Sequence, residues 1–271
     1  MFKNLTIGQF IPGNSVIHRL DPRTKIIVTV IYIVLLFLIK DFYGYLILSP
    51  FIILPILLSG IPVKYTLKGL KPMIILILVT MVFNILFTTG EVLYTLGPLK
   101  ITKEGLEMSG FIALRLIFLV IGTSYITLTT SPIALTDGIE YILTPFKKIG
   151  VPAHELAMMM TIALRFIPTL LEETEKIIKA QMARGADFQS RNLLNKAKNL
   201  VPLLVPLFIS AFRRADELAM AMEARCYRGG ENRTRMKQLR VTTIDYLAFI
   251  FAAVISCIII ITRFSFNFGV I

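Results

Sequence analysis

The sequence predicts an all-α membrane protein, with about five transmembrane helices plus long amphipathic cytoplasmic helices. Three observations lead there. Hydrophobic residues make up 55% of the 271, and the mean hydropathy is +0.74. Several apolar runs are longer than a buried strand and approach the length a bilayer requires. The 29 lysines and arginines, which set a net charge of +12, gather at the ends of those runs. That placement points to topology and argues against nucleic acid as the reason for the charge.

The spans follow in order. The first is Ile26–Ile39, bracketed by Lys25 and Lys40, and short enough that both lysines are expected to snorkel. Asp21 can cap its free amides, and Pro22 suits the first helical position. Phe42–Ser59 is the second, with kinks expected at Pro50 and Pro55. Met73–Thr88 is the third, begun by Lys71-Pro72. Gly105–Thr130 is the fourth, ended by Ser131-Pro132, and Tyr246–Thr262 is the fifth. Met1 to Leu20 lacks the basic start, apolar core and small-residue site of a cleavable signal, so the first span is expected to direct insertion. The expected organisation is a four-span membrane part over 1–130, a cytoplasmic segment over 131–243 and a last span over 244–271.

Basic residues orient the bundle. Lys3, Arg19, Arg23 and Lys25 precede the first span, and Lys64, Lys68 and Lys71 follow the second. The stretch from Ser131 to Thr243 holds 17 Lys/Arg against 11 Asp/Glu. Five spans put these regions on one side, leaving Lys40, Lys100, Lys103 and Arg263 on the other. The positive-inside rule then places the N-terminus in the cytoplasm and the C-terminus outside. Leu156–Leu171 and Val201–Phe212 are apolar enough to suggest two further crossings. Crossing there would carry Lys176, Lys179, Arg184, Arg191, Lys196 and Lys198 outward, against that rule. Amphipathic helices at the cytoplasmic face fit better.

Within that segment, Ala153–Arg184 reads as one helix through Pro168. Its stripe is Leu164, Ile167, Leu171, Ile178 and Met182, with i,i+4 pairs Glu172–Lys176 and Glu175–Lys179. Leu193–Tyr227 reads as a second helix of similar plan, and Ile133–Lys148 as a shorter amphipathic one. The long helices end in Ala183-Arg184-Gly185 and Ala224-Arg225-Cys226, 41 residues apart. A lone arginine there would merely complement the helix dipole, worth roughly 0.3–1 kcal/mol. The duplication suggests more: two cationic helix ends offered to a two-fold or pseudo-two-fold partner. The preceding alanine lets a partner approach the backbone, and the guanidinium can bond carboxylates or carbonyls bidentately.

These residues resemble a known family. Gly8-Gln9-Phe10-Ile11-Pro12-Gly13-Asn14-Ser15, continuing through His18-Arg19-Leu20-Asp21-Pro22-Arg23-Thr24-Lys25, is similar to its opening signature. Leu164-Arg165-Phe166-Ile167-Pro168 and Met222-Glu223-Ala224-Arg225-Cys226-Tyr227-Arg228-Gly229-Gly230 are similar to later ones. The chain resembles EcfT, the transmembrane coupling subunit of energy-coupling factor transporters, over essentially its full length. The resemblance implies two cytoplasmic P-loop ATPase subunits that hold Arg184 and Arg225 in grooves. It implies a small membrane subunit that binds the nutrient, several being interchangeable, and a multi-pass place in a prokaryotic cell membrane. The family's two Ala-Arg-Gly motifs map onto the two tripeptides, with Cys226 in place of the second glycine. The run Met158-Met159-Met160 would suit variable partners, because methionine adapts its shape.

Other chemistry is missing from the sequence. There is no P-loop, no His-Glu-x-x-His and no paired-cysteine motif; Cys226 and Cys257 have no metal-ligand spacing, and no cofactor is expected. His18 and His154 are expected to be structural. Arg115 is the one clear charge inside a span, and Asn84, Ser109 or a backbone carbonyl is its expected partner. A secondary transporter working without an ATPase is the alternative reading, and the charge-poor spans argue against it. A membrane enzyme would need convergent nucleophiles or ligands that the segment lacks. A conventional ABC permease would dock through one coupling helix per half. The orientation is testable: a tag after Ile271 should be labelled on intact cells, and labelling only after permeabilisation would contradict it.

Overall fold

The computed structural model describes residues 10–96, 99–186, 193–230 and 239–267. It divides into two compact units, one of Gly8–Ile139 with Gln238–Ile271, the other of Glu140–Lys237 with Met1–Ile7.

The first unit opens with α1 (Val16–Arg19) and α2 (Pro22–Leu38). His18 locks the opening stretch: its Nε2 donates to the Ile11 carbonyl at 3.0 Å, and its Nδ1 bonds the Ser15 hydroxyl at 2.7 Å. Asp21 caps α2 as expected, accepting from the Arg23 amide at 2.9 Å, and Pro22 fills the first turn. Gly8 and Gln9 of the opening signature lie outside the described residues. Next come α3 (Phe42–Leu48) and α4 (Pro50–Ser59), joined by Ser49 in helical conformation. The amides of Ser49 and Ile53 bond Tyr45 and Ser49, so the run Phe42–Ser59 continues past Pro50 as one candidate span.

Then α5 (Val63–Leu70) passes through a 3-10 turn, Lys71–Met73, into α6 (Ile74–Phe87). The third span was expected to begin at Met73; instead one apolar helical run extends over Val63–Phe87. Pro72 tightens a turn without ending the helix, because the residues on either side keep helical angles. An antiparallel hairpin follows, β1 (Val92–Leu96) against β2 (Leu99–Thr102), which the sequence reading did not anticipate. Thr102 then caps α7 (Lys103–Thr129), its hydroxyl accepting from the Gly105 amide and donating to the Thr88 carbonyl. After Ser131, α8 (Pro132–Leu143) starts in this unit and ends in the other; α11 (Thr243–Asn267) completes the first unit.

The core lies where α2, α3, α4, α7 and α11 meet. Tyr32, Leu35, Leu36 and Ile39 pack on Tyr45, Leu48, Phe51 and Ile52, closed by Ala252, Ile255 and Ile259. Gly122 gives Tyr32 its place, since any side chain at 122 would collide with the ring; the Tyr32 hydroxyl donates to the Phe118 carbonyl at 2.6 Å. Outside, the pattern of a soluble protein is inverted. Leu46 is 77% exposed, Leu57 76% and Ile75 72%. Such a surface belongs in lipid. Packing in that solvent rests on dispersion and internal hydrogen bonds, because lipid tails are as apolar as leucine. Arg115 meets the expectation of a backbone carbonyl: Nη2 donates to the Ile39 carbonyl at 3.0 Å, and its guanidinium lies over the rings of Phe37 and Phe111. Asn84 and Ser109 bond carbonyls of their own helices instead.

One end of this unit is tied by charge. Asp245 is wholly buried. One of its oxygens accepts from the Asp21 amide at 2.8 Å, and the other from the amide and hydroxyl of Thr242, both at 2.7 Å. Lys25 does not snorkel as expected. It is buried, and donates to the Thr129 carbonyl and Thr130 hydroxyl at the end of α7. Those oxygens lack partners once the helix stops, so they hold the ammonium inside the bundle. Arg23 donates to the Leu239 carbonyl at 2.8 Å. Together these bonds join the start of α2, the end of α7 and the start of α11.

Among the described residues, five helices are long and apolar enough to cross a membrane: Phe42–Ser59, Val63–Phe87, Lys103–Thr129, Ala153–Ala183 and Thr243–Arg263. This set differs from the one read in the sequence. The helix that carries the expected first span Ile26–Ile39, Pro22–Leu38, has 17 residues and reaches only about 26 Å. Ala153–Ala183, expected to be amphipathic at the cytoplasmic face, meets the same criteria of length and hydropathy.

The second unit is built on α9 (Ala153–Ala183) and α10 (Leu193–Ala224), which pack against each other. A 3-10 turn, Thr144–Ile149, leads into α9 from the end of α8. His154 has a structural role here, with Nδ1 3.0 Å from the Glu140 carboxylate. The expected pairs Glu172–Lys176 and Glu175–Lys179 do not close. The ion pair formed is instead between helices, Glu173 with Arg214 at 2.7 Å. The i,i+4 pairs would be exposed and worth only about 0.3–0.5 kcal/mol, too little to hold long side chains in place.

Removing the buried acceptor should loosen the first unit. Asp245→Ala leaves the Asp21 amide and both Thr242 donors without their partner and should cost roughly 3 kcal/mol. Thermal unfolding of the full chain in detergent should fall by several degrees; an unchanged midpoint would contradict this role.

Candidate functional site

The two helix ends picked out by the sequence have the same backbone design. Ala183 is the last residue of α9, Arg184 its C-cap, and Gly185 follows at φ +88°. The Gly185 amide donates to the Met182 carbonyl and the Ala186 amide to the Gln181 carbonyl, both at 3.0 Å. This is the paired closure of a Schellman motif, in which the residue after the cap turns left-handed and two otherwise orphaned carbonyls are satisfied.

The second end repeats it. Ala224 is the last residue of α10, Arg225 follows, and Cys226 stands at φ +55°. The Cys226 amide donates to the Glu223 carbonyl at 2.8 Å and the Tyr227 amide to the Met222 carbonyl at 3.0 Å. Among the described residues, Cys226 is the one non-glycine with positive φ. A side chain there costs about 1–2 kcal/mol against the following carbonyl. The glycine of the first motif therefore supplies a left-handed turn, and the cysteine of the second adopts the same turn at some strain.

All six residues, Ala183, Arg184, Gly185, Ala224, Arg225 and Cys226, are exposed. Neither guanidinium has an ion-pair or hydrogen-bond partner among the described residues. Each therefore offers five donors in a fixed fork, on a helix end where alanine leaves the backbone approachable. Such a pair can recognise carboxylates and carbonyl oxygens on a partner. Among the described residues no cluster of His, Cys, Asp or Glu is arranged to hold a metal ion.

The left-handed positions are open to test in the full chain. Cys226→Gly should stabilise the second unit by about 1 kcal/mol, and Gly185→Ala should destabilise it by a similar amount. Both are read as shifts in the thermal unfolding of detergent-solubilised protein. Destabilisation by Cys226→Gly, or no loss of stability on Gly185→Ala, would refute the left-handed assignment.

The comparisons cover nearly the whole chain. The family model CbiQ, described as cobalt transport protein, matches residues 13–236. The energy-coupling factor transporter transmembrane protein EcfT of Thermosediminibacter oceani is 64% identical over 262 residues, covering 97% of this chain and 99% of the relative. The protein of the same name from Clostridium kluyveri is 61% identical over 265 residues, 97% of this chain and 98% of the relative. That of Bacillus subtilis is 46% identical over 264 residues, 97% of this chain and all of the relative. With its apolar helical surface, its opening signature and its paired arginine-bearing helix ends, the chain belongs to this family, the multi-pass transmembrane components of energy-coupling factor transporters.

Proposed function

We propose that this chain is a non-catalytic mechanical coupler. Arg184 and Arg225, with the flanking Ala183, Gly185, Ala224 and Cys226, dock into grooves on two cytoplasmic P-loop ATPase subunits. A separate small membrane subunit binds a vitamin or micronutrient, and several such subunits exchange on this one. Closure of the ATPases around ATP draws the two helix ends along, and their movement reorients the substrate-binding subunit. In this reading the N-terminus and residues 131–243 lie on the cytoplasmic side, and the C-terminus lies outside.

The observation that carries the reading is the repeated helix end: one backbone motif, used twice, each time with an unpartnered arginine at the cap. One such end could be incidental. Two suit a pair of related grooves, since arginine in a desolvated pocket is a common anchor of protein interfaces. An exposed guanidinium also costs little to dehydrate compared with an ammonium, which favours arginine over lysine there.

The test is the variant Arg184→Ala combined with Arg225→Ala. It should insert normally and still unfold cooperatively, yet lose roughly 1,000-fold of its affinity for the ATPases, at about 2 kcal/mol per anchor. ATP-dependent uptake of radiolabelled vitamins should drop to background. Undiminished ATP-dependent uptake by this variant would sink the docking assignment. Uptake that persists with no ATPase present would favour a secondary transporter.

A further inference from the structure

Glu173 and Arg214 make the ion pair that links α9 to α10, at 2.7 Å, with both side chains partly shielded from solvent. Its partners stand 41 residues apart, the same offset that separates Arg184 from Arg225 and Gly185 from Cys226. Glu173 lies eleven residues before Arg184, and Arg214 eleven before Arg225. Apolar positions follow the same offset: Leu164 with Val205, Ile167 with Phe208, Leu171 with Phe212. On that period Glu173 and Arg214 are one position in two copies of a helix. When equivalent positions of two copies touch, the contact lies on the two-fold axis that relates them.

We infer that the Glu173–Arg214 pair is the pivot of a pseudo-two-fold pair of helices and acts as a positioning pair, holding Arg184 and Arg225 at equal reach from their meeting point. The inference rests on the docking reading above. At a rise of about 1.5 Å per residue each arm is roughly 16 Å long. Equal arms matter because related grooves on two ATPases lie at equal distances from the axis between them. The chemistry of the pivot also follows from the symmetry. A perfect two-fold would bring two identical side chains together, and two like charges there would repel. Glutamate in one copy and arginine in the other turn that contact into an attraction. An open cleft of about 550 Å³, bordered by Phe166, Ser210, Arg213 and Glu217, lies beside the pair.

The experiment uses the full chain in detergent with spin labels on Cys226 and on an introduced Gly185→Cys, in a Cys257→Ser background. The distance distribution between labels should be narrow. Glu173→Ala and Arg214→Ala should each broaden it, and the swap Glu173→Arg with Arg214→Glu should narrow it again. In parallel, unlabelled chains carrying the same pivot substitutions are tested for retention of the two ATPases. Retention should fall about five-fold in the single variants, the equivalent of about 1 kcal/mol, and return in the swap. Distances unchanged in the single variants, or not restored by the swap, would overturn the pivot. Distances that respond while ATPase retention stays constant would keep the pivot and reject the docking reading. Rescue by the swap separates positioning from mere loss of folding.

Discussion

Two hydrogen bonds and one left-handed residue at the end of each long helix set everything that follows in the second unit. They stop α9 at Ala183 and α10 at Ala224 and turn the chain away at once. The arginine is thereby the cap of the helix, the last residue before the left-handed turn. Without the turn, each helix would fray over several residues, and the guanidinium would sample many directions. The strained geometry of Cys226 shows how strongly the turn is imposed, since the chain adopts it even without glycine.

The first unit meets a different constraint. Its solvent is lipid, so exposure of leucine and isoleucine is no liability, and backbone groups must be satisfied internally. Its charges are accordingly tied to backbone. Asp245 accepts from the Asp21 amide, Lys25 donates to the Thr129 carbonyl at the end of α7, and Arg115 donates to the carbonyl of Ile39 at the end of α2. Each of these bonds has one partner at a helix end, where orphan groups await partners. The same contacts join the start of the chain to its last helix, so the bundle is closed by bonds between residues more than two hundred positions apart.

Local chemistry was legible in the sequence, and long-range pairing was not. The Asp21-Pro22 cap, the stop at Gly185 and the carbonyl partner of Arg115 follow from residues within a turn or from general cost, whereas α10, read as far as Tyr227, stops at Ala224. The role of Asp245 does not, because its partner is set only when α11 returns beside α2. Lys25 was misjudged for the same reason: its acceptors belong to the end of another helix. Pro72 looked like a helix start, yet one proline fits a single 3-10 turn within a longer run. The hairpin was overlooked because two strands of four and five residues leave too short an alternation to stand out beside long apolar helices. At the candidate site, the duplication was visible as two tripeptides 41 residues apart. That Cys226 takes the role of glycine needed the backbone angles.

The central claim of the account is that this family member works as a coupler between ATPases and a substrate-binding subunit. It is tested most directly by purifying the chain from its native membrane in mild detergent, identifying what comes with it, and assaying uptake after reconstitution. The account predicts two P-loop ATPases and at least one small hydrophobic protein, with uptake that requires ATP. Recovery of the chain alone, active in uptake without any ATPase, would contradict it.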